Sequence, residues 1–296
     1  MPHHPLAEVF GFPTGNLSAG AGRHRAKRLC PYNNKVPNCT KDKAKDPLGV
    51  CSVYEDDKAV ITCPVRFRQD WLIAEDAAAF FFASDVSWTS LTEVRLPDKH
   101  GRSAGNIDIV LVAYNERGRV IDFAALEVQA VYISGNIRHA FEYYMQDPID
   151  RHNMTWEGPY YPRPDYLSSS RKRLAPQLIY KGGILNKWDK KFAVVVDKHF
   201  FANLPVLPET DSNTADIAWL IYDLSFDQTK NRYDLTRHRT VYTAFAPALE
   251  MITTAEAGPV IDFVEQLQQK LDEKLENGYP PDTPTLADVI GEQRND

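Results

Sequence analysis

The apolar residues of this chain keep a helical period in some stretches and a strand period in others. Trp71, Leu72, Ala74, Ala78 and Phe82 fall at helical spacing and predict a helix over residues 69–83; a second short helix is expected near 88–94, stopped by Leu96-Pro97-Asp98. Residues 107–114 and 119–131 are rich in β-branched and apolar side chains and flank Asn115-Glu116-Arg117-Gly118, the pattern of a β-hairpin. Ile137, Ala140, Phe141 and Tyr144 predict a helix over 136–146, followed by an aromatic, Pro-rich loop through Tyr166. Ser168-Ser169-Ser170 is expected to cap a helix from about Arg171 to Tyr180, which Gly182-Gly183 should interrupt before Trp188. Residues 192–196 form a short continuous apolar run of the kind buried inside a sheet, and 217–226 and 233–244 read as two strands across a polar turn. An amphipathic helix is expected over 260–275.

The pattern sums to an α/β core over residues 69–278. Before it, residues 1–68 are rich in Pro, Gly, Asn, Lys and Cys and show little periodicity, so they are expected to need a staple to fold; after it, 279–296 is a polar tail. The longest uninterrupted apolar run, residues 77–83, is too short to cross a bilayer, and the amino terminus has no basic segment followed by an apolar one, so a cytoplasmic protein without a membrane partner is expected. Net charge is −6, which argues against a nucleic-acid partner until its distribution is considered: residues 1–70 carry +4 and residues 250–296 carry −8. A basic front behind an acidic end leaves one face able to meet phosphates.

The hairpin carries the candidate chemistry. If Tyr114 pairs with Arg119, Asp108 lies opposite Ala125, and alternation puts Ala125, Glu127 and Gln129 on the face of Asp108. Two carboxylates and an amide then converge. Alternation also fits a plain solvated face, but Asp108 sits inside Ile-Asp-Ile-Val-Leu-Val, where a charge is costly without a metal or a partner.

All four cysteines, Cys30, Cys39, Cys51 and Cys63, lie within 34 residues, separated by 8, 11 and 11 others, unlike the paired spacing of a zinc ribbon. Four thiolates around one metal ion, zinc or iron, would staple this loop-rich segment; small unpaired hydrophobes or a disulfide are the alternatives. Arg23, His24, Arg25, Lys27 and Arg28 form one basic run and Arg171, Lys172 and Arg173 another. Each is either a phosphate clamp or a solvated surface. His238 between Arg237 and Arg239 fits a charged edge strand as well as a DNA contact.

An Asp on one strand, a hairpin, then Glu-x-Lys or a variant on the next is the signature of the PD-(D/E)xK nucleases. Gly105-Asn106-Ile107-Asp108 with Leu126-Glu127-Val128-Gln129 resembles the NotI restriction endonuclease family, in which Gln replaces the usual Lys. Phe10-Gly11-Phe12-Pro13, Cys30-Pro31-Tyr32-Asn33-Asn34, Cys39-Thr40-Lys41, residues 47–52, Cys63-Pro64-Val65-Arg66-Phe67 and residues 169–177 resemble the same family, so the likeness covers 10–180 in patches. It implies a restriction-endonuclease-like mixed sheet flanked by helices, with a metal-binding segment of four cysteines at the amino-terminal end. It also implies a type II restriction endonuclease, a homodimer cutting a GC-rich palindromic site in double-stranded DNA with Mg²⁺. Asp108 and Glu127 would be the Mg²⁺ ligands, Gln129 would orient water or phosphate, and Glu93, from a helix before the first strand, would join them or remain a surface carboxylate. The cysteines would hold one structural iron, with zinc as the alternative, near the DNA, which Arg23, Arg25, Lys27, Arg28, Arg171, Lys172 and Arg173 would contact. A repair or recombination nuclease on the same fold, or a non-catalytic metal-stapled DNA-binding module, are the competing readings.

Overall fold

The structure of the chain, a computed structural model, describes residues 4–33, 36–43, 45–157 and 160–276. Contacts divide the chain into two units, residues 1–253 and 254–296. The expected polar tail, 279–296, lies outside the described residues.

The amino-terminal segment builds a sheet that its sequence pattern did not announce. Strands β1 (Leu6–Val9) and β2 (Phe12–Pro13) precede helix α1 (Ala19–Lys27), the two-residue strands β3 (Asp42–Lys43) and β4 (Asp46–Pro47), and strands β5 (Val50–Glu55) and β6 (Lys58–Ile61). They assemble in the order β2-β1-β5-β6 over a small core of Leu6, Val9, Phe10, Val50 and Val53, closed by Phe141 and Tyr144. Strands of two to six residues are too short to show a period, which is why the segment reads as irregular.

A six-stranded mixed sheet follows, from β7 (Trp88–Pro97), β8 (Ser103–Tyr114), β9 (Val120–Gln129), β12 (Phe192–Asp197), β13 (Ile217–Asp227) and β14 (Arg232–Thr243), in the order β14-β13-β12-β9-β8-β7; β10 (Tyr132–Ser134) and β11 (Arg163–Asp165) form a separate ribbon. Strand β12 runs parallel to both β9 and β13, and the other pairings are antiparallel. One face buries Ile109, Leu111, Leu126, Val128 and Val195 against α2 (Leu72–Phe81), which a 3-10 segment over Pro64–Trp71 precedes. The other buries Val110, Val112, Ala125, Val194 and Trp219 in one cluster with Leu174, Leu178, Phe245 and Ala248.

The helix expected near 88–94 is strand β7: its residues alternate between half-buried and exposed along β8, and Thr89, Thr92 and Val94 are β-branched, so pairing decides the conformation. Glu93 therefore comes from a strand. In the hairpin, Ile109 faces Leu126 and Ala113 faces Asp122, a register shifted by two residues from the expected one: Tyr114 pairs with Val120 in place of Arg119, and Ile121 is an extra residue beside that pair. A shift of two preserves side-chain parity, so the expected grouping of Asp108 with Ala125, Glu127 and Gln129 survives.

Helix α3 (Ile137–Gln146) forms as expected. The next helix, α4, runs from 166 to 187 without a break, alternating α and π turns. Its cap is Asp165, whose side chain accepts from Ser168 N at 2.9 Å. Pro176 has no N–H for the Lys172 carbonyl and would crowd it; the turn before it widens over 170–174, with Ala175 N donating to Ser170 O. Gly182 does not end the helix: a Cβ there would lie 2.7 Å from the ring of Phe245, so the glycine permits close packing against α6 (Phe245–Thr253). Helix α5 (Lys198–Ala202) follows β12.

The second unit contains helix α7 (Val260–Glu276), whose apolar residues Phe263, Val264, Leu267 and Leu271 are exposed. Among the described residues no helix is long and apolar enough to cross a membrane.

Candidate active site

Beside the Ile109–Leu126 pair, Asp108 on β8 stands next to Glu127 on β9, and the Thr92–Ile109 and Val94–Ile107 pairs place Glu93 of β7 on its other side. Three neighbouring strands thus carry one acidic residue each in a row. Asp108 Oδ2 accepts from Val128 N at 2.9 Å, which ties the carboxylate to the backbone beside Glu127. Glu93 is exposed with φ +58, an irregularity that lets it and Asp108 line the same cleft. The cleft, about 540 Å³, lies between the sheet edge and the loops carrying Thr40, Lys41, Cys63 and Arg68, and Arg173 and Tyr132 also line it.

Glu127 is completely buried. Its two carboxylate oxygens accept from one ammonium, Lys181 Nζ, at 2.9 and 2.8 Å. Burial above all, then the neighbouring Asp108 charge, pushes the Glu127 carboxyl up to about 8, against the opposing pull of Lys181. Gln129 donates from Nε2 to Ala130 O at 2.8 Å, and its buried Oε1 has no hydrogen-bond partner. Lys181 belongs to the second π turn of α4 and lies against Gly105, where a Cβ would approach its Cε to 3.1 Å.

Sequence reading missed Lys181. A signal was present: Leu174, Leu178, Lys181 and Leu185 keep helical spacing on the buried face of α4, and a lysine in such a stripe requires a charged partner.

The four cysteines are free thiols and all line one cavity of about 10 Å³, together with Phe10, Tyr32 and Arg66. Burial pushes the Cys30 thiol up to about 11, with the neighbouring Cys63 and Cys39 adding to it, and burial followed by Cys63 raises Cys51 well above the ordinary thiol value. Such thiols hold their protons unless a cation replaces them. Among the described residues no three His, Cys, Asp or Glu side chains are gathered closely enough, as they stand, to hold one ion.

The basic groups divide. Arg25 is buried and donates to Asn16 O at 2.8 Å and Pro13 O at 2.7 Å, so it braces the loop before α1 and is withdrawn from the expected DNA contacts. Arg28 pairs with Asp46 at 2.6 Å. Arg23, Lys27, Arg171 and Lys172 are exposed, and the Arg173 guanidinium lies 4.1 Å from the centre of the Tyr132 ring.

A family model described as restriction endonuclease NotI matches residues 15–235. No curated protein matches the chain. The matched stretch contains the four cysteines, the acidic row on β7, β8 and β9 and the whole of α4, and on that ground the chain belongs to the NotI family of restriction endonucleases.

Proposed function

We propose that this type II restriction endonuclease hydrolyses phosphodiester bonds at a GC-rich palindromic site in double-stranded DNA, using Mg²⁺ held by Asp108 and Glu127, on a PD-(D/E)xK scaffold. The observation that carries the reading is the placement of Asp108 in the wall of a cleft that Arg68 and Arg173 also line, with Glu127 buried beside it on the next strand. Hard carboxylates fit a hard divalent cation, and one of them already holds a cationic group, the Lys181 ammonium. When bound, Mg²⁺ would supply a water activated as nucleophile and charge stabilisation at phosphorus.

The chain's own groups would do the rest. Glu93, at the cleft mouth, would add a third carboxylate. Gln129 has a free carbonyl oxygen that could accept from a water, but as an amide it moves no proton. Arg68 and Arg173 in the cleft, with Arg171, Lys172, Arg23, Lys27 and Arg28 outside it, would clamp phosphates, and arginine is the side chain that reads guanine bidentately. A palindromic target follows from two-fold symmetry of a homodimer. Drawn closer together from the cavity they line, the four cysteine thiols would hold a structural iron or zinc, and four protein ligands would leave it no open position for catalysis.

A non-catalytic DNA-binding module is the second reading, favoured by the occupation of both Glu127 oxygens by Lys181. Incubating long duplex DNA of mixed sequence with the protein in Mg²⁺ or EDTA separates the two. Discrete Mg²⁺-dependent fragments are expected, and Asp108→Asn, which keeps the acceptor for Val128 N, should bind the same site without cutting it. Equal binding with no cutting by the unaltered protein establishes the module instead.

A further inference from the structure

A lysine ammonium that meets both oxygens of a carboxylate at nearly equal distance occupies the position from which a cation chelates it. Lys181 does this to Glu127 at 2.9 and 2.8 Å, with the lysine side chain 9% exposed and the glutamate side chain 0%. Neither charge has water to fall back on, so each holds the other in place. Lys181 reaches this position because α4 widens into a π turn over Leu178–Gly182 and because Gly105, at φ +117, presents no side chain to its stem.

We propose that Lys181 is a built-in competitor for the divalent ion: its ammonium takes the chelating edge of Glu127 in the metal-free enzyme and must leave it before the ion binds, so Lys181 sets the metal concentration at which cutting begins. This rests on the reading of Asp108 and Glu127 as ion ligands. It makes Lys181 a positioning residue, which acts through Glu127. Two consequences follow from Coulomb's law. A positive charge beside the site opposes the arrival of another, so its removal strengthens ion binding whatever the exchange of protons. Without an ion, the same charge offsets the repulsion between buried Glu127 and half-buried Asp108, so its removal weakens the metal-free fold.

Mn²⁺ binding without DNA, read from the free-ion paramagnetic resonance signal, tests the idea. Lys181→Met should bind Mn²⁺ on the order of tenfold more tightly than the unaltered protein, and the Mg²⁺ concentration for half-maximal cutting should fall in parallel. Lys181→Arg keeps the charge and should stay near the unaltered affinity. Lys181→Gln leaves a donor for one Glu127 oxygen, keeps the neutral arm available should the methionine variant melt, and should also bind more tightly. Unchanged or weaker Mn²⁺ binding by a folded neutral variant overturns the proposal. If the unaltered protein neither binds Mn²⁺ nor cuts, the nuclease reading fails; if it does both and the neutral variants match it, only the role of Lys181 fails.

Discussion

Arg66 offers the sharpest test of what joins the amino-terminal sheet to the rest of the first unit. Its guanidinium and the Glu8 carboxylate are both 0% exposed. Nε lies 3.1 and 3.0 Å from the two Glu8 oxygens, Nη1 donates to Gln69 Oε1 at 2.8 Å, Nη2 donates to Tyr233 O at 2.8 Å, and the Tyr32 ring centre is 4.4 Å away. Ser52 Oγ donates to the same carboxylate at 2.9 Å. Arg66→Met keeps most of the apolar stem and removes the charge, leaving Glu8 ionised in a dry interior with one hydroxyl donor. Breaking one side of such a pair costs about 3–5 kcal/mol. Replacing both sides, Glu8→Gln with Arg66→Met, removes the uncompensated charge and should cost less than Arg66→Met alone. Urea unfolding of the single and double variants measures the coupling. A single variant within about 1 kcal/mol of the parent, or a double variant whose cost is the sum of the two singles, would refute the argument that this pair is a buried, mutually dependent unit.

Two further outcomes follow from the sites. The Glu127 carboxyl is raised from its ordinary 4.5 to about 8, so below about 8 the native metal-free protein holds a proton that the unfolded chain releases, and above it Lys181 pairs with the ionised carboxylate. The stability this contributes is complete below about 4.5 and is lost as pH rises through about 8. Ion binding must displace that proton, so Mn²⁺ affinity should rise about tenfold per pH unit up to the same region and then level off, and a flat titration profile would contradict it. Cys39→Ser should lower both bound iron or zinc, measured by elemental analysis, and the melting temperature by several degrees; unchanged metal content and melting would remove the four-thiolate site.

Local pattern was sufficient for the elements with enough length to show a period. The β8–β9 hairpin, β12, β13, β14, α3 and α7 are all legible in the sequence, and so is the shared face of Asp108, Glu127 and Gln129, because parity along a strand survives an error of two in register. The amino-terminal sheet was not legible: its strands are short and its stability comes from partners far along the chain, such as Tyr233 for Arg66 and Asp197, which accepts from Ile61 N at 3.0 Å. Strand β7 was misread as a helix because pairing to β8 outweighed its local pattern. The glycines of α4 were misread as a break because their meaning lies in what they touch, as Gly182 does with Phe245.

The sequence by itself determined which residues could do the chemistry: an acidic pair and an amide on one face of a hairpin, four clustered cysteines and two basic runs. The tertiary structure alone decided their state. Glu127 and Lys181 are 54 positions apart in the chain, yet the fold brings their charges into contact in a dry interior, and no local rule reaches that far. Burial makes that contact matter, because a carboxylate costs little beside water and a great deal without it, and only the assembled sheet and helix establish which of the two Glu127 meets.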